Sequence, residues 1–187
     1  RHIYGEGTIS AHNPDGKKGE YYFFNTHNHG YAGTNNRTVI GKDVTIDAPN
    51  YYLSGEGGDA VNHHVWTRVY GTVNCYGLFY TWSTGNRCPY YEFYEGCNVT
   101  FTGKQLFWDT NNSNKFGYHA FDVAIYGGTF HLPAEAANQS FWTNDYKETL
   151  TNHDGTKSYA SVGTTQLTKD NIIIYGGSFV TADGSMP

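Results

Sequence analysis

The sequence predicts an all-β chain folded as a right-handed parallel β-helix, and three observations carry that expectation. The first is a near-duplication: residues 122–132 read D-V-A-I-Y-G-G-T-F-H-L and residues 171–181 read N-I-I-I-Y-G-G-S-F-V-T. The second is composition, with 17% aromatic residues and 23 Gly against only 16% charged residues. Leu, Ala, Glu and Lys are thin while Tyr, Thr, Asn and Gly dominate, the vocabulary of strands and tight turns. The third is the recurrence of a short pattern, a polar Asp or Asn followed by an apolar triplet, a break and an apolar resumption. An antiparallel β-sandwich or jelly roll, which also has many short strands and turn signals, is the alternative.

In chain order, residues 5–10 and 21–25 read as short strands around the polar turn 13–19, which holds N-P-D-G and K-K-G. Residues 26–37 form a His-, Asn- and Gly-rich loop. Residues 38–40 and 43–53 (D-V-T-I-D-A-P-N-Y-Y-L) are the first repeat-like stretch, matched by 98–107 (N-V-T-F-T-G-K-Q-L-F). A weaker copy is 67–73, T-R-V-Y-G-T-V, whose Y-G-T resembles the Y-G-G-T at 126–129. Starts at 43, 67, 98, 122 and 171 give separations of 24, 31, 24 and 49. The last is close to twice 24, which places a disguised copy inside 133–170.

A loose period near 24 fits stacked coils of two or three short strands, spaced roughly 4.8 Å apart. Val44, Ile46, Val99, Phe101, Val123, Ile125, Ile172 and Ile174 are the expected inward residues, with the Gly-Gly pairs at corners. Residues 133–145 carry the helical vocabulary, Pro followed by Glu-Ala-Ala, and predict a turn or two of helix. The chain is thus expected to be one domain over 1–187. Residues 1–37 give N-terminal strands and a loop, 38–132 the coils, 133–170 a loop insertion and 171–187 a last coil. A start at Arg1 without an initiator Met reads as a processed product or a fragment of a longer chain.

Composition excludes several partners. A net charge of −5 with no Lys/Arg cluster leaves nothing to neutralise phosphates, so nucleic acid is not expected. No apolar run approaches the roughly 20 residues of a membrane-spanning helix. Cys75, Cys88 and Cys97 match no zinc template and read as thiols, or as one disulfide with a Cys left over. Of the nine His, His27 and His29 would share a strand face and His63 and His64 are adjacent, but no third ligand is implied. No metal, no cofactor and no catalytic residue is expected.

The segments D-V-A-I-Y-G-G-T-F and N-I-I-I-Y-G-G-S-F resemble coils of right-handed β-helix surface proteins. That group includes adhesins, carbohydrate-binding β-helices, polysaccharide lyases and phage tail spikes. The resemblance implies an extracellular, cell-surface or virion location and a glycan, polysaccharide or self partner. It also implies a rival reading, a lyase or glycosidase of tail-spike type, which would need paired carboxylates or acids converging on calcium. Asp43, Asp47, Asp59, Asp109, Asp122 and Asp145 are the acids available. Asp43 and Asp122 alternate with Asn98 and Asn171 in one position of the repeat, which is the signature of a turn-former. Asp109, after Trp108 in F-W-D-T-N-N, is the most site-like acid.

The aromatic runs are the stronger functional signal. Residues 21–24, 51–52, 76–82 and 90–94 hold more rings than a small core needs, and strand alternation puts about half outside. Exposed Tyr and Trp amid Asn and Thr suit sugar rings or another chain. The candidate binding residues are therefore Trp66, Trp82, Trp108, Asp109, Asn111, Tyr126 and Tyr175. The expected function is a non-catalytic structural or adhesive module contacting glycans or neighbouring subunits. A purely structural subunit of an assembly or filament is the third reading.

Overall fold

The computed structural model describes residues 1–13, 15–25, 35–56, 63–81, 87–109, 122–142 and 171–182. Fourteen strands occupy them: β1 His2–Ile3, β2 Gly7–Ser10, β3 Tyr22–Asn25, β4 Asn35–Ile40, β5 Val44–Glu56, β6 His63–Val69 and β7 Thr72–Thr81. The rest are β8 Arg87–Phe93, β9 Asn98–Phe101, β10 Phe107–Asp109, β11 Asp122–Ile125, β12 Thr129–Leu132, β13 Asn171–Ile174 and β14 Ser178–Thr181. A 3-10 turn (Ala134–Ala137) and one helical turn (Gln139–Trp142) follow Pro133, where the sequence predicts helix. No helix among the described residues is long and apolar enough to cross a membrane.

The strands form two parallel sheets. The first runs β1-β4-β6-β8-β11-β13, and the second runs β14-β12-β9-β7-β5-β2, with β3 on β5 and β10 on β7. Every pair is parallel, so the antiparallel sandwich does not describe these strands. Consecutive strands alternate between sheets, β4 to β5, β6 to β7, β8 to β9, β11 to β12 and β13 to β14. Each crossing needs only a few residues because the chain turns a corner instead of reversing. The corner between β6 and β7 is Tyr70-Gly71, and it tolerates no side chain at its second position. A Cβ on Gly71 would lie 2.2 Å from the Gly41 carbonyl oxygen and 2.4 Å from that of Val44.

The core lies between the sheets and is made of register columns. Ile40, Val69, Phe93 and Ile125 are successive partners on the first sheet, and all are buried. Ile46, Val73, Val99 and Phe130 do the same on the second. Phe93 meets Phe130 edge to face across the interior at 5.3 Å. Tyr91 is buried, yet its hydroxyl donates to the Leu78 carbonyl at 2.8 Å and lies 2.5 Å from Ser54 Oγ. A buried hydroxyl so satisfied avoids the cost of desolvation without a partner.

Two expectations need correction. Ile174 sits in the inward column but is 52% exposed, and Ile172 is half-buried, because β13 is the outermost strand of its sheet. β13 also pairs directly with β11, so no hidden coil stands between them. The 49-residue separation is one step of the stack, and residues 143–170 lie outside the described set.

Candidate functional site

Strand alternation sorts the first sheet into inward and outward columns. Two outward columns and the adjoining corner gather aromatic and charged side chains on one surface. Arg37, Trp66, Tyr90 and Asp122 are successive partners in one column; His2, Val39, Arg68, Glu92 and Ala124 form the other. The corner column follows the inward apolar one by a single residue: Tyr70 after Val69, Tyr94 after Phe93, Tyr126 after Ile125 and Tyr175 after Ile174.

The four tyrosines stack as a ladder. Ring centroids are 4.5 Å apart for Tyr70–Tyr94, 5.2 Å for Tyr94–Tyr126 and 5.1 Å for Tyr126–Tyr175, with interplanar angles of 13°, 24° and 5°. Parallel strands repeat at roughly 4.8 Å, so identical rings on successive strands are brought to stacking distance by the backbone itself. The ladder faces water: Tyr126 is 42% exposed and Tyr175 is 65% exposed. Each inner ring is covered on both faces by its neighbours, which leaves only its edge accessible.

Beside the ladder, Trp66 is the hub. Its ring has the Arg37 guanidinium 5.8 Å from its centroid and that of Arg68 at 5.6 Å, and Tyr90 meets it edge to face at 5.1 Å. Its Nε1 donates to Glu92 Oε2 at 3.2 Å, and Arg68 Nε donates to the same oxygen at 2.5 Å. Glu92 is the buried carboxylate of this face, and it is paired as a buried charge must be. The hydrogen bond and charge of Glu92 raise the Arg68 pKa. Burial, then the charge of Glu92, pushes the Tyr90 and Tyr94 hydroxyls up to about 12, so both are neutral phenols at ordinary pH.

The structure gathers three of the expected binding residues, Trp66, Tyr126 and Tyr175, on this surface and its edge. Trp108 and Asp109 are elsewhere: their strand β10 pairs with β7 in the second sheet, Trp108 opposite Tyr80 and Asp109 opposite Thr81. Their side chains, like Trp82 and Asn111, lie outside the described residues. Asp122 opens β11 opposite Asn171, as a position shared by two copies of one repeat. Asn98 opens β9 in the second sheet, and Asp43 is offset from it by two residues, since Asn98 and Thr45 both pair with Thr72. The shared polar cap therefore marks strand starts in both sheets and does not mark one catalytic column.

Sequence reasoning missed Arg37, Tyr70, Arg68, Glu92 and Tyr94. The available signal was the Y-G-T of 70–72, which is in true register with Tyr126 and Thr129 through Tyr94 and Asn98. Cys75 and Cys97 are buried free thiols, and burial raises both, Cys97 to about 11. The Cys88 side chain, the loop His27 and His29, and the side chains of His63 and His64 are outside the described residues. Among the described residues no three His, Cys, Asp or Glu converge as metal ligands.

No family model, curated protein or solved structure matches the chain. The surface is therefore characterised by its own geometry: stacked tyrosine rings at fixed spacing, a cation-flanked indole and a paired carboxylate.

Proposed function

We propose that the two parallel sheets are faces of a right-handed parallel β-helix and that the chain is a non-catalytic, surface-displayed module that binds glycans. In-register parallel pairing, short corners and alternation between sheets support the coiled reading. The observation that carries the function is the exposed tyrosine ladder running beside Trp66. A saccharide chain laid along the stack would meet a hydroxyl at each step and the uncovered face of Tyr175 at the end. Ring faces contact sugar C–H groups, and phenol hydroxyls exchange hydrogen bonds with sugar hydroxyls.

The test is a calorimetric titration with a panel of neutral and acidic oligosaccharides, alongside Tyr175→Ala and Trp66→Ala. Binding by the wild type that weakens about tenfold or more in either variant supports the reading; no heat with any glycan sinks it. The same mixtures, assayed for unsaturated and reducing ends, are expected to show no cleavage, and cleavage would turn the module into an enzyme.

A second reading has its own observation. Ile174 is exposed at the end of the inward column on β13, with half-buried Ile172 and Phe179 packed against the same core, an apolar end suited to a neighbouring subunit. Sedimentation of the wild type and of Ile174→Lys separates the two: a multimer dissolved by the variant supports assembly.

A further inference from the structure

The tyrosine ladder has one gap. Ile3 pairs with Ile40, and Ile40 pairs with Val69, so the residues that follow them, Tyr4, Gly41 and Tyr70, occupy one corner column. Tyr4 and Tyr70 are two strands apart, and Gly41 puts no ring between them. Gly41 is not among the positive-φ glycines, so its backbone does not demand glycine. What it permits is closeness: a Cβ there would lie 2.9 Å from Tyr4 Cδ1 and 3.0 Å from the Ile3 carbonyl oxygen.

At this gap a cleft of about 740 Å³ opens, with Tyr4, Arg37, Gly41, Trp66, Arg68 and Tyr70 in its walls. That volume is in the range of small-molecule sites, which fall at roughly 300–1,000 Å³. One face of Tyr70 is covered by Tyr94; the other looks toward the missing rung. Tyr4 is 67% exposed and forms the opposite wall.

The charges in the cleft are unequally used. Arg68 is engaged by Glu92. Lys42 and Asp43 at the margin make a long 4.0 Å pair. Arg37 lies against Trp66 and has no ion-pair partner among the described residues. A guanidinium over an aromatic face with no acid paired to it among the described residues, in a chain of net charge −5, suits an anion.

We propose that this cleft binds a sugar ring bearing a carboxylate, with the ring against the uncovered face of Tyr70 and the carboxylate on Arg37. The proposal rests on the glycan-binding reading and narrows it to one end of the ladder and one chemical class. Uronates and sialates both carry this group. An exposed guanidinium–carboxylate contact is weakened by salt, so affinity falls as ionic strength rises.

The experiment is isothermal calorimetry of the intact chain with trigalacturonate, sialyllactose and the neutral sugars cellotriose and lactose. It is run on the wild type, Arg37→Gln, Gly41→Tyr and Lys104→Ala, with circular dichroism confirming each fold. Arg37 is exposed, so Arg37→Gln keeps the fold and decides the matter even where Gly41→Tyr does not. At least one acidic sugar is expected to bind more tightly than its neutral counterpart. Its affinity should drop about tenfold or more in Arg37→Gln and in Gly41→Tyr and stay unchanged in Lys104→Ala, which removes an exposed cation away from the cleft. Whichever acidic sugar binds names the source. Equal binding of acidic and neutral sugars, or acidic binding that survives Arg37→Gln, overturns the cleft and leaves the glycan reading standing. Failure of every sugar overturns both.

Discussion

Glu92 shows how a single side chain ties the exposed face to the fold. Its side chain is only 8% exposed, whereas Arg68 is 44% exposed. Removing the arginine leaves a nearly buried carboxylate with Trp66 Nε1 as its remaining donor among the described residues. Breaking a buried pair costs several kcal/mol, but solvent reaching Arg68 screens this one. Arg68→Ala is therefore expected to lower stability by about 1–2 kcal/mol in urea unfolding, and Glu92→Gln by less, because a neutral amide needs no counter-charge. Equal losses would show that the charge is not what the pair satisfies. None of this was legible in the sequence. Arg68 and Glu92 are 24 residues apart, and only the β6–β8 register makes them neighbours. Tyr126 and Tyr175 were legible, because the Gly-Gly motif carries its tyrosine at the same offset in both copies.

At the scale of elements, the corners set what the strands can do. Gly71 is crowded by backbone oxygens at 2.2 and 2.4 Å, while Gly96 has φ +86° and open space where a Cβ would go. The two glycines are thus required for different reasons, close approach and left-handed backbone. Gly71→Ala must move backbone in a packed corner and is expected to cost about 2–3 kcal/mol or more, comparable to overpacking a core. Gly96→Ala bears only conformational strain, about 1–2 kcal/mol. Chemical denaturation of both variants checks the order; a reversed order would mean that the β6–β7 corner opens easily. The corners also explain why the repeat was half-read. A polar cap and an apolar triplet start strands in either sheet, so aligning Asp43 and Asn98 with Asp122 mixed two faces. True equivalents on the second sheet are Thr45, Thr72, Asn98, Thr129 and Ser178, spaced 27, 26, 31 and 49. Period-2 patterning reports which side of a strand is buried and says nothing of which sheet the strand joins.

For the whole molecule, two parallel sheets enclosing one core put every stacked column under a common constraint. Tyrosines are held protonated by it: Tyr90 and Tyr94 are pushed up to about 12, and burial raises Tyr52 and Tyr91 as well. An unfolded chain ionises its tyrosines near 10. A group whose folded pKa is raised binds its proton more tightly when native, so its contribution to stability is complete below pH 10 and drains away as pH rises toward and past 12. Stability is accordingly expected to hold to about pH 10 and then fall, with phenolate absorbance and loss of β circular dichroism rising together. Tyr94→Phe, which removes one such hydroxyl and keeps the stacked ring, should move the midpoint of alkaline unfolding upward. If all tyrosines instead ionise near 10 while the circular dichroism stays native, the hydroxyls are in free contact with water and the ladder is not packed against the sheet face.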